Sequence, residues 1–145
     1  MNTMQPQAVI LIVLIPLMSS YAVPLLGWRW RGSAYFIALI ATGASLVCSL
    51  ILLATVLTQG TIHYHLGGWL PPWGIEYVID PLNGFVGVVV CVLSFLVTLA
   101  SKESVEKELP GKKVRFYAIY LLLFTGLMGM VVTGDVFNLY VFLEI

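Results

Sequence analysis

Ser33–Thr58 reads SAYFIALIATGASLVCSLILLATVLT and contains no charged residue. At about 1.5 Å per residue, a helix of this length exceeds the roughly 30 Å hydrocarbon core of a bilayer. Three further stretches meet the same requirement of about 20 mostly apolar residues: Ala8–Leu26, Gly84–Ser101 and Phe116–Thr133. The first contains Pro16 and Pro24, and a kink is expected at Pro16, which neighbouring helices can accommodate. Gly134-Asp135 then marks a tight turn. Val136–Ile145 resumes an apolar helical pattern that rises only about 15 Å, half of the hydrocarbon core. The expected fold is therefore an all-α integral membrane protein. It has four transmembrane helices (about 8–26, 33–58, 84–101 and 116–133) plus the first half of a fifth (136–145), in a single membrane domain over residues 1–145.

Composition agrees. Sixty per cent of the residues are apolar and 10% are charged, against about 25% charged in a soluble domain. Seven Lys and Arg balance seven Asp and Glu, which removes the basic patch a nucleic-acid binder needs. Cys48 and Cys91 lie inside apolar stretches, form no metal-binding spacing, and read as small packing residues. The first apolar stretch lacks the basic start and small-residue cleavage site of a signal peptide, so it is read as a retained helix.

The loops set an orientation. Arg29 and Arg31 lie in 27–32, and Lys102, Lys107, Lys112, Lys113 and Arg115 lie in 102–115. The N-terminal tail and 59–83 carry no Lys or Arg. Excess positive charge favours the cytoplasmic side, so both basic loops are expected in the cytoplasm and the N-terminus outside, in the cell membrane. In 102–115, Lys102, Glu103, Glu106 and Lys107 have the spacing of an exposed helical extension of the third helix, ended by Pro110-Gly111. A solvated, topology-setting face explains them, with lipid or partner docking as the alternative.

The outer segment Gly60–Asn83 has β-prone runs at 61–66 and 75–79, separated by Gly67-Gly68 and Pro71-Pro72. It predicts a short hairpin lying on the outer face. Trp69, Trp73 and Tyr77 suit the headgroup layer. His63 and His65 would share one strand face as surface polar residues, because a metal site needs more ligands than two. In the fourth helix, Thr125, Gly126, Gly129 and Thr133 form a small-residue face of the kind that lets membrane helices pack closely.

One ionisable residue falls deep in the membrane. Glu144 lies nine residues beyond Asp135, about 13 Å along the fifth helix. An intramembrane carboxylate is a candidate proton carrier, since burial favours its neutral form and a nearby cation its charged form; a neutral, hydrogen-bonded packing role is the alternative. Asp135 lies about 180° around the helix from Glu144. It reads as an N-cap, with an ion-access role as the alternative. Asp80, before Pro81, is read as the cap of the third helix, and Asp80 and Glu76 could otherwise form a cation vestibule. No residue pattern supports catalysis, a metal or a bound cofactor: there is no GxGxxG, P-loop or GxSxG, and no His within an apolar stretch. A small multidrug exporter is disfavoured because the first helix carries no carboxylate.

Two motifs, GGWLPPWGIEYVIDPLNGF (67–85) and FYAIYLLLFTGLMGMVVTGDVFNLYVFLEI (116–145), resemble the large antiporter-like membrane subunits of Mrp sodium/proton antiporters, complex I and energy-converting hydrogenases. The run TGDVFNLYVFLEI looks most like the D-type subunit of the Mrp antiporters and its hydrogenase counterparts. The resemblance implies a subunit of about fourteen helices with two inverted five-helix repeats, of which this chain matches the N-terminal portion. It implies that Glu144 corresponds to a fifth-helix glutamate that pairs with a seventh-helix lysine and opens a charged line along the membrane midplane. That lysine would come from further sequence or from another chain.

The expected function is an ion-translocating subunit, or its N-terminal part, in a multi-subunit Mrp-type complex, moving protons and exchanging them for sodium. The alternatives are a proton-pumping subunit of a hydrogenase or complex I-like redox complex, and a non-transporting membrane scaffold. The expected partners are other membrane subunits and the lipid bilayer.

Overall fold

A computed structural model describes residues 4–30, 32–69 and 73–145. Arg31 and the Pro71-Pro72 turn lie outside the described residues. The elements are α1 (Met4–Arg29), α2 (Ser33–Gln59), β1 (Ile62–His65), a short 3-10 turn (Leu66–Gly68), β2 (Glu76–Ile79), α3 (Pro81–Glu108), α4 (Lys113–Val132) and α5 (Val136–Glu144).

Four of these helices are long and apolar enough to span a bilayer, with mean hydropathy between 1.7 and 2.5. Each is longer than the stretch that predicted it. The apolar count marks the membrane-embedded part, whereas the helical hydrogen-bond ladder continues into polar surroundings until a breaker stops it. α3 shows both ends of this rule. Asp80 Oδ1 accepts from Leu82 N and Asn83 N at 2.8 Å each, and Asn83 Oδ1 accepts from Asp80 N at 2.8 Å. Pro81 stands at the first helical position, where its missing N–H costs nothing. The helix therefore starts three residues before the apolar stretch. It then runs through the charged segment to Glu108 and stops before Pro110-Gly111, where Gly111 adopts φ +80°. α1 continues as one helix through both of its prolines.

α1 packs on α2 and α4, α2 on α3, and α3 on α4, while α5 lies on α4. Two apolar clusters fill the bundle. One lies toward the hairpin end and includes Val9, Ile12, Leu52, Cys91, Met128 and Phe142. The other lies toward the basic end around Val23, Ala38, Tyr117 and Leu121. The buried hydroxyls Ser20, Thr42, Ser49, Thr98 and Thr125 each donate to a carbonyl three or four residues earlier on their own helix. The outer surfaces of the helices remain apolar: Leu25, Ile40, Leu57, Leu93 and Ile119 are all exposed. Water would penalise so continuous an apolar surface, and hydrocarbon does not. The chain is a multi-pass membrane protein.

β1 and β2 form the expected hairpin, antiparallel, with Ile62 opposite Ile79 and His65 opposite Glu76. One detail differs from expectation. Tyr77 does not join Trp69 and Trp73 at the surface: it is 7% exposed, while they are 68% and 88% exposed. Strand alternation turns Tyr77 and Ile79 toward the bundle, where Tyr77 makes an isolated antiparallel bridge to Thr133.

Candidate functional site

The candidate site is built on α5 and on the junction that leads into it. Val132 ends α4, and Thr133-Gly134-Asp135 crosses in extended conformation to α5. This crossing is held by the hairpin. Gly134 N donates to Glu76 O at 2.9 Å, beside the Tyr77–Thr133 bridge. A side chain at 134 would collide with Val78, so the close approach requires glycine.

Asp135 stands at the N-cap of α5, and its Oδ1 accepts from Phe137 N at 3.0 Å. One turn on, buried Asn138 donates from Nδ2 to Thr133 Oγ1 at 3.1 Å. Burial pushes the Tyr77 phenol above its ordinary range, and the neighbouring Asn138 side chain acts in the opposite direction. A polar knot of Thr133, Asn138 and Tyr77 thus fixes where α5 begins.

The second anchor lies near the other end of α5. Phe142 is 7% exposed and sits against the small-residue face of α4. A Cβ on Gly129 would overlap the Phe142 ring, and one on Gly126 would come within 3.0 Å of Phe142 O. The two glycines bring backbone and ring into contact, as small-residue faces do between membrane helices.

Glu144 follows Phe142 by two residues, roughly 200° around the helix. It is exposed, on the side of α5 turned away from the Gly129–Phe142 seam. Among the described residues, no ion pair includes it: the pairs are His63–Glu76, His65–Glu76, Lys107–Glu103 and Lys113–Glu106. Asp135 and Glu144 therefore occupy opposite ends of α5, and the structure does not bring them together.

Asp135 instead shares an open pocket of about 650 Å³ with Glu76, lined also by Trp73, Gly74, Ile75, Gly134 and Phe137. Asp80 is engaged in capping α3. One grouping escaped the sequence reading. His63 Nδ1 lies 2.8 Å and His65 Nε2 lies 3.5 Å from the same Glu76 Oε1. Alternation places the two histidines on one face, but only the strand register reveals the carboxylate between them. No group of three or more His, Cys, Asp or Glu among the described residues is arranged to hold a metal ion.

No protein-family model matches the chain. It is 43% identical over 137 residues to the N subunit of the NADH-quinone oxidoreductase of Desulforudis audaxviator (strain MP104C), an alignment covering 94% of this chain and 27% of that protein. It is 33% identical over 137 residues to the D subunit of the Na(+)/H(+) antiporter of Bacillus subtilis (strain 168), with the same coverage of 94% and 27%. The chain thus spans about a quarter of the length of these curated relatives. Among solved structures, a chain of the membrane-bound sulfane sulfur reductase, an archaeal respiratory membrane complex, superposes with a TM-score of 0.87 at 32% identity, covering 95% of this chain and 28% of that one.

Proposed function

We propose a function for a chain that is homologous to the antiporter-like membrane subunits: it forms part of an ion-translocating subunit, in which Glu144 carries protons. The observation that carries this reading is the placement of Glu144. It is an exposed carboxylate on the far side of a helix that is anchored twice, at Asp135–Asn138 and at Phe142. Its side chain is directed away from the four-helix bundle, where another helix can bring a cation.

The depth is suitable. α5 begins at the hairpin end of the bundle, and nine residues carry Glu144 about 13 Å inward, close to the membrane midplane. A cation that approaches the carboxylate favours its charged form and releases its proton; withdrawal favours reprotonation. Alternation between these states moves one proton per cycle, and the partner cation couples it to other movements in the complex.

The orientation follows the basic loops, with 27–32 and 102–115 in the cytoplasm and the hairpin outside. Residues 1–145 act as one membrane domain, and the partners are other membrane subunits of a multi-subunit complex. The relatives support two hosts. Likeness to the D subunit of an antiporter favours an Mrp-type complex exchanging protons for a cation. The higher identity to the N subunit of a quinone oxidoreductase favours a redox-driven pump.

The test is Glu144→Gln in the intact complex reconstituted in proteoliposomes. Proton movement is followed by a pH-sensitive dye, once with an imposed sodium gradient and once with electron donor and acceptor. The variant should be inactive in whichever condition drives the wild type. Near-normal transport would remove Glu144 from the mechanism and leave the scaffold reading in its place.

A further inference from the structure

We propose that His63, Glu76 and His65 form a proton-sensitive clasp that positions the start of α5 according to pH on the hairpin side of the membrane. The outer location rests on the orientation proposed above, whereas the clasp itself rests on geometry.

The first part of that geometry is the shared oxygen. His65 stands directly across the hairpin from Glu76, and His63 stands one diagonal step away. Their ring nitrogens approach one carboxylate oxygen at 3.5 Å and 2.8 Å. A neutral imidazole has one N–H and no charge, so it holds the carboxylate by a single hydrogen bond at most. An imidazolium donates from both nitrogens and adds a Coulombic attraction. Imidazole is the side chain that ordinarily changes charge between pH 5 and 8.

The second part is the charge balance around Glu76. Among the described residues, His63 and His65 from β1 approach its carboxylate, and Asp135 from the α4–α5 junction lines the same pocket. Tyr77 on β2 is turned to the other face of the strand. Residues 59–101 and 116–145 contain no Lys or Arg. With both histidines charged, two cations balance two carboxylates. With both neutral, Glu76 and Asp135 line one pocket with no cationic side chain beside them among the described residues, and the two anions repel across it.

The third part is the mechanical link. Glu76 is the residue whose backbone carbonyl holds Gly134 N at 2.9 Å, and the next residue, Tyr77, pairs with Thr133. Asp135 follows at once as the N-cap of α5. Repulsion between the Glu76 and Asp135 side chains therefore pulls on the same two segments that the backbone bonds join. Low external pH closes the junction, and high external pH loosens it. Glu76, His63 and His65 are positioning residues: they act on α5 and not on the transported proton.

The experiment is hydrogen–deuterium exchange of the intact complex in proteoliposomes from pH 5.5 to 8.5. It is read on peptides covering 133–138 and corrected for intrinsic exchange. The wild type should lose protection roughly three- to fivefold as pH rises, the effect that two partly exposed ion pairs supply. The start of α3, capped by Asp80, should show no such trend. H63Q/H65Q should abolish the pH dependence. H63K/H65K, with permanent cations, should hold the junction protected at every pH, which separates loss of the clasp from loss of the fold. A flat wild-type profile, or an unchanged slope in either double variant, overturns the proposal. E144Q should leave the exchange profile intact while stopping transport, so failure of the proton-carrier reading and failure of the clasp are distinguishable.

Discussion

Replacing Gly129 with alanine should displace α5 from α4. The added methyl would fall on Cγ, Cδ1 and Cε1 of the Phe142 ring, so the ring or the helix must move. Forcing one extra carbon into a packed seam costs about 1–3 kcal/mol, equivalent to roughly a five- to 150-fold change in the docking equilibrium of α5. α5 rests on α4 at this seam, which therefore takes up the strain. The assay is a double-mutant cycle on the intact subunit in mixed micelles, with unfolding followed by helical circular dichroism as denaturing detergent is titrated. F142A removes the ring and opens the space. G129A should cost about 1–3 kcal/mol in the wild-type background and under about 0.5 kcal/mol in the F142A background. Transport should follow the same pattern, because Glu144 is two residues from the displaced ring. Equal costs in both backgrounds, within about 0.5 kcal/mol, would mean that the two residues do not share a seam.

Two further predictions concern helix ends. Asp135→Ala removes the acceptor for Phe137 N and should cost about 1 kcal/mol, while Asp135→Asn keeps a capping oxygen and should cost only a few tenths; if transport falls equally in both variants while stability does not, the charge of Asp135 matters beyond capping. Asp80→Ala breaks the capping box that starts α3 and should lower stability by about 1 kcal/mol, measured in the same detergent titration, with transport per folded molecule unchanged.

The parts of this fold legible in sequence are those governed by local rules. A charge-free run longer than the bilayer forces a helix, because lipid offers no partner for exposed backbone groups. The Asp80-Pro81 pair announces the start of α3 because capping is a matter of neighbouring residues. The small face of α4 is visible as spacing, and its contact with α5 is present. The features that escaped depend on register between distant segments. Tyr77 carries the composition of an interfacial aromatic, but strand alternation and the Thr133 bridge turn it inward. The meeting of His63, His65 and Glu76 requires knowing that His65 faces Glu76 across a loop whose length alone does not set the pairing. Phe142 gave no signal that it, among several apolar residues of α5, would occupy the glycine face.

These register-dependent contacts seat one side of α5 on the bundle and leave the other side exposed. The described interior of the bundle contains hydroxyls but no ionisable group except thiols and phenols: Thr42, Ser45, Ser49, Thr98 and Thr125 are buried there. All of these except Ser45 donate to their own helix backbone. A hydroxyl committed to an adjacent carbonyl stabilises that carbonyl but does not form a continuous chain for proton transfer. Glu144 lies outside this packing, on the face of α5 opposite Phe142. The four long helices form a wall against which α5 is seated, and on the function proposed above a proton carried by Glu144 would travel along the side of α5 that the wall does not cover. On that same proposal, the hairpin would act on transport through the angle at which α5 leaves the Gly134–Glu76 contact, since a small rotation there is carried along about 13 Å of helix to the carboxylate.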